Sequence, residues 1–170
     1  AVYMNAGAHG SDVSKTLISA EVVRETGEIE VMKPEDLKFR YSTTSLQEDK
    51  RGIVAEATFQ LETGDPDIIM ADVRSFKDRR RRTQPLQYPC AGSVFRNPPE
   101  HYAGSLIESA GLKGYRIGDA EASELHANFT INRGQATAHD VLTLISEIQK
   151  IVKEKHGIAL QTEVRVVGEG

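Results

Sequence analysis

Apolar positions recur along this chain with two different periods, and the change from one to the other marks its elements. Residues 17–31 alternate: Leu17-Ile18-Ser19-Ala20-Glu21-Val22-Val23, a break at Glu25-Thr26-Gly27-Glu28, then Ile29-Glu30-Val31. A period of two around a glycine-containing turn predicts a β-hairpin. Pro34-Glu35-Asp36-Leu37 predicts one helical turn with proline at its first position. The clearest strand covers residues 53–61 and is ended by Gly64. Asp65-Pro66 then predicts a helix start, with Asp as cap. Ile69, Val73 and Phe76 form its apolar stripe, and it runs out into Lys77-Asp78-Arg79-Arg80-Arg81-Arg82. Pro85, Pro89, Pro98 and Pro99 break any regular pattern between residues 83 and 100, predicting a linker and a functional loop. Beyond it come a helix over 101–110 closed by Gly111 and a short strand over 129–132. The longest helix is capped by Thr137-x-x-Asp140 and keeps Val141, Leu144, Ile145, Ile148, Ile151 and Val152 on one face until His156-Gly157. Val164-Arg165-Val166-Val167 predicts a closing strand. Strands and helices in this order give an α/β or α+β class, with lobes near residues 1–80 and 84–160.

Composition narrows the function classes. The 170 residues are 39% hydrophobic and 27% charged, enough for a sizeable core, and no run of 18 apolar residues spans a membrane. With 21 basic and 25 acidic residues, the formal charge of −4 argues against a dedicated nucleic-acid binder, and the arginine run reads as a solvated helix end. The single cysteine, Cys90, rules out an internal disulfide and fits a reducing compartment. The start lacks a charged segment followed by an apolar stretch, so a cytoplasmic protein is expected. The opening Ala1-Val2-Tyr3-Met4-Asn5-Ala6-Gly7 begins mid-pattern, as a cut from a longer protein would. None of the five histidines sits in an H-x-x-x-H or cysteine-paired spacing, so no metal site is expected.

The most informative stretch is Cys90-Ala91-Gly92-Ser93-Val94-Phe95-Arg96-Asn97-Pro98. Its small residues let backbone approach a ligand closely, with the Ser93 hydroxyl beside that surface; the same residues equally suit a tight turn between lobes. Asn97 before Pro98 is biased to extended geometry and can present its amide sideways. A nucleophile elbow is excluded, since Ala91 and Phe95 stand where glycines are needed. Cys90 has no activating base near it in sequence and reads as a small loop residue.

Taken together, these segments resemble the UDP-N-acetylenolpyruvoylglucosamine reductase (MurB) family, in particular its shorter Gram-positive branch. The likeness runs through Gln84-Pro85-Leu86, Ala91 to Pro98, Ala103-Gly104-Ser105-Leu106-Ile107-Glu108 and Gly111-Leu112-Lys113-Gly114-Tyr115-Arg116-Ile117-Gly118. It continues in His126-Ala127-Asn128-Phe129 and Glu163-Val164-Arg165, and Tyr3 to Gly10 resembles the family's flavin-side loop.

The resemblance implies an α+β fold: residues 1–80 as part of an FAD-binding domain, 84–160 as a small α/β substrate-binding domain, and 161–170 as a strand returning to the flavin side. It implies a flavoenzyme with FAD as cofactor and NADPH as co-substrate, reducing the enolpyruvyl group of a UDP-sugar in peptidoglycan synthesis. Hydride addition leaves an enolate that needs charge stabilisation and a proton on carbon. By resemblance Ser93 is the proton donor, and Glu163 stabilises or helps protonate the enol. Asn97 and Arg81 map to the substrate, Arg81 toward the diphosphate. Asn5, Ala6, Gly7 and Gly10 map to the cofactor loop.

Two departures from the family pattern matter. The family reads Phe-Arg-Tyr-Arg-x-Ser where this chain has Phe39-Arg40-Tyr41-Ser42-Thr43-Thr44. Ser42 therefore stands at a catalytic arginine position without the charge or the fork of donors that role requires. On a strand, Arg40 would share its face about 7 Å away and could not be assumed to replace it. The family's main FAD-binding segment maps upstream of Ala1. That leaves a second reading, a catalytically inactive piece that at most binds UDP-sugar.

Overall fold

A computed structural model describes residues 1–48 and 52–168. The chain divides into two compact units, Ala1–Ala71 and Asp72–Gly170. The division falls inside a helix rather than in the proline-rich stretch after it. The fold is α+β, with antiparallel pairing throughout its sheets.

In the first unit a 3-10 turn (Val2–Met4) leads into a small hairpin, β1 (Gly7–Ala8) and β2 (Ser11–Asp12). β3 (Leu17–Val23), β4 (Ile29–Met32) and β5 (Ile53–Phe59) form a sheet ordered β4-β3-β5. The period-two reading of this hairpin is correct: Val23 pairs Ile29 and Ala20 pairs Met32. Ala20, Val22 and Met32 turn inward to meet Val2, Leu37 and Leu46, while Ile29, Val31 and Ile53 are exposed on the other face. Leu37 belongs to α1 (Pro34–Leu37), the single helical turn that Pro34 starts.

α2 (Pro66–Thr83) begins where Asp65-Pro66 predicts, Asp65 Oδ1 accepting from Asp67 N at 2.8 Å. Its expected apolar stripe is not buried; Ile69 and Phe76 are exposed.

In the second unit β6 (Cys90–Ser93), β7 (Arg116–Ile117), β8 (Ala120–Ala122) and β9 (Phe129–Asn132) form a sheet ordered β6-β9-β8-β7. α3 (Ala103–Ser109) and α4 (Ala138–His156) complete the unit. The buried face of α4, Leu144, Ile145, Ile148 and Val152, shares one core with Ile107, Ala120, Ala122 and Phe95. Thr137 Oγ1 accepts from Asp140 N at 3.1 Å and Asp140 Oδ2 from Thr137 N at 2.8 Å, the reciprocal cap anticipated from Thr137-x-x-Asp140. Those capping bonds hold the Asp140 carboxyl below its ordinary range. Gly157 ends the helix at φ 71, a left-handed position that glycine takes without steric cost.

Two expectations are corrected. Cys90–Ser93 is a strand, not a loop, because β9 supplies a ladder that the flanking prolines do not obstruct. Residues 164–167 are not a strand: the pairing there is one bridge, Phe95 with Thr162, and Val166 and Val167 are exposed.

Candidate active site

The second unit builds its candidate site where β6 leaves the sheet. Cys90 pairs with Ile131 and Ser93 with Phe129, so β6 spends one more residue than β9 between the two pairs. Gly92 takes up that bulge at φ 84. Beyond Ser93 the chain is held from both sides. On one side Val94 N donates to Asn128 O at 2.8 Å, Phe95 N to Asn128 Oδ1 at 2.9 Å, and Asn128 Nδ2 to Phe95 O at 2.8 Å. On the other, Glu163 N donates to Val94 O at 2.7 Å and Arg96 N to Gln161 O at 2.9 Å. Buried Val94 and Phe95 anchor the run in the core.

This arrangement brings Ser93 and Glu163 onto adjacent backbone segments, far apart as they are in sequence. Ser93 is half-buried, and its hydroxyl has no hydrogen-bond partner among the described residues. Glu163 is half-buried as well. Asn97 turns out to hold local structure: its Oδ1 accepts from Ala103 N at 3.0 Å, so α3 starts at Ala103 rather than at residue 101. Arg81 is exposed on α2 and ion-paired to Asp78 at 3.3 Å.

His126 precedes the clamp. Burial pushes its imidazole below the usual histidine value, and Nδ1 accepts from Asn128 N at 3.3 Å, as a neutral ring can. Its ring lies 4.7 Å from that of Phe129. A Cβ on Gly104 would come within 3.3 Å of His126 Cε1, so glycine is what lets α3 approach this ring.

The first unit gathers the other candidate residues. Asn5 is buried; its Oδ1 accepts from Ser14 N at 3.1 Å and its Nδ2 donates to Arg40 O at 3.2 Å. It thereby ties the loop carrying Ala6, Gly7 and Gly10 to the segment carrying Ser42. That segment is a tight turn and not a strand, which corrects the expected extended geometry. Arg40 and Thr43 exchange both backbone hydrogen bonds, at 3.1 and 3.2 Å, and Ser42 sits at φ 49. Arg40 is turned to an ion pair with Glu48. Residues 6–11 form an exposed hairpin of small side chains.

An apolar cavity of about 350 Å³ lies behind β6, lined by Cys90, Ala91, Val94, Ile131, Val141 and Ile145 among others; neither Ser93 nor Glu163 lines it. Among the described residues no cluster of His, Cys, Asp and Glu could hold a metal ion. Among them, too, no helix is long and apolar enough to cross a membrane.

Comparison with known proteins decides the family. The profile described as UDP-N-acetylenolpyruvoylglucosamine reductase, C-terminal domain, matches residues 84–167. A Bacillus licheniformis protein named UDP-N-acetylenolpyruvoylglucosamine reductase is 52% identical over 169 residues, covering 99% of this chain and 92% of its own. The chain belongs to the UDP-N-acetylenolpyruvoylglucosamine reductase family. The relative of that name from Anoxybacillus flavithermus is 53% identical over 168 residues, 99% of this chain and 56% of its own. The crystal structure of the Thermus caldophilus reductase (MurB) superposes with a TM-score of 0.83 at 36% identity, covering 97% of this chain and 58% of that one. The chain thus spans little more than half the length of most curated reductases it matches.

Asn128 is the residue that motif reading passes over. It is visible in sequence only as part of His126-Ala127-Asn128-Phe129, and the available signal is a polar amide flanked by residues that must be buried.

Proposed function

We propose that this chain supplies the substrate-side and part of the cofactor-side machinery of a reductase that converts a UDP-N-acetylglucosamine enolpyruvyl ether to UDP-N-acetylmuramate. FAD, when bound, supplies the hydride to the enolpyruvyl double bond, having been reduced by NADPH. The exposed loop Ala6–Gly7–Gly10 suits such a group, since its small side chains let a flat ring or a phosphate reach the backbone. Asn5 does not fit a direct contact, because both ends of its amide are already bonded inside the unit.

Hydride arrival at one carbon leaves the electron pair on its neighbour, next to the carboxylate. The Ser93 hydroxyl donates its proton to that carbon, and the half-buried setting keeps the exchange away from water. Glu163, on the segment bonded to Val94, lies where it can stabilise or reprotonate the enol. Arg81 and Asn97 are the candidates for the UDP part; Asn97 has only its amide nitrogen left to offer beyond the bond to Ala103. The observation that carries this reading is the backbone bond joining the Glu163 segment to the residue after Ser93, in a chain of this family.

The test is Ser93→Ala in the FAD-loaded full-length protein. Flavin reduction by NADPH is expected to stay fast while product formation stops; unchanged turnover removes Ser93 from the mechanism. The coverage of most relatives favours a second reading, a chain that binds UDP-sugar without turnover. Colour separates the two: purified protein with a flavin absorbance band supports the reductase, colourless protein the binding-only chain.

A further inference from the structure

We infer that Asn128 is a positioning residue for the reaction, holding the peptide next to Ser93 by a two-point side-chain clamp; this rests on the role proposed for Ser93. Regular pairing ends at Ser93 and Phe129. One step further, Asn128 replaces the missing strand residue with its own side chain: Oδ1 accepts from Phe95 N at 2.9 Å and Nδ2 donates to Phe95 O at 2.8 Å. Its main-chain carbonyl takes Val94 N at 2.8 Å. Two successive peptides after Ser93 are therefore fixed by one residue that is itself only 4% exposed.

The chemistry of the contact selects asparagine. A primary amide offers a donor and an acceptor to match both groups of a peptide; aspartate loses the donor and leucine offers neither. Phe95 and Val94 also carry the opposite side of the site, because Val94 O receives Glu163 N. Releasing the clamp would therefore shift the segments carrying both Ser93 and Glu163, while leaving the cofactor-side loop of the first unit untouched.

The experiment compares Asn128→Asp, Asn128→Ser and Ser93→Ala in the FAD-loaded full-length protein. Both Asn128 variants are expected to leave NADPH-driven flavin reduction within about twofold. They lower kcat for the UDP-sugar roughly 10²-fold with KM little changed, the loss typical of a reacting group misplaced by about 1 Å. Amide exchange at Phe95 speeds up in both. Added to Ser93→Ala, Asn128→Asp costs nothing further, since the two act as one unit. If Ser93→Ala is inactive but both Asn128 variants turn over normally, the clamp is overturned and the role of Ser93 stands. If Ser93→Ala is fully active, the proposed function fails first. Equal losses in both half-reactions, or failure of both Asn128 variants to fold, assign Asn128 to stability alone and overturn the inference.

Discussion

Gly92→Ala isolates what the bulge before Ser93 costs and does. Gly92 adopts φ 84, yet a Cβ built on it meets nothing within 4 Å. The substitution therefore adds no clash, and its penalty is the left-handed conformation itself, about 1–2 kcal/mol for a residue with a Cβ. In a chain of this length that corresponds to a melting shift of roughly 2–8 °C. Because the chain has two compact units, the measurement is hydrogen exchange at the slow amides of α4, which report on the second unit by itself. Gly92→Asn is the control: asparagine enters this region more readily, so its loss should be distinctly smaller. Gly118→Ala is the contrast, with φ 54 and a Cβ only 2.6 Å from Asp140 Cγ, so that it must also displace the cap of α4. The expected order of destabilisation is Gly118→Ala, then Gly92→Ala, then Gly92→Asn. A neutral Gly92→Ala, or an asparagine variant as damaging as alanine, would refute the argument from backbone conformation. In the full-length enzyme the same substitution should lower kcat more than it alters KM, because the bulge aims Ser93.

Other consequences are simpler. Thr137→Ala removes half of the reciprocal cap and should destabilise the second unit by about 1 kcal/mol in denaturant unfolding, with Thr137→Ser close to neutral. Ser42→Arg, in the full-length protein, should raise turnover roughly 10²–10³-fold, the effect of one oxyanion donor, since the residue keeps the turn's positive φ in either form; no gain would mean that another cation already serves. Burial lowers the His126 pKa below 6.5, so the unfolded chain binds the proton first on acidification. Its contribution to stability is thus intact above pH 6.5 and declines as pH falls from there toward the lower folded value. His126→Gln should flatten that part of the stability–pH curve.

Elements governed by neighbours in the chain are legible in the sequence alone. α4 is specified by a cap three residues long, an apolar face at helical spacing and Gly157, all of which act within a few residues of one another. The β3–β4 hairpin follows in the same way from alternation and a short turn at Gly27. Ser93 and Glu163 are reached from their motifs, and Ser93 also by its small-residue setting. What the sequence leaves open depends on partners far along the chain. β6 is a strand only because β9 lies beside it, and the two-residue β7 is too short to show any period. Ser42 occupies a turn because Arg40 and Thr43 bond each other and Asn5 ties down Arg40 O, not because local propensity forbids a strand there. The pairing of the Glu163 segment with Val94, and the amide of Asn128 standing in for a strand residue, exist only after the sheet has closed. Local patterns report on hydrogen bonds between near neighbours; the site is made of hydrogen bonds whose two ends are brought together by core packing, and that information resides in the tertiary structure alone.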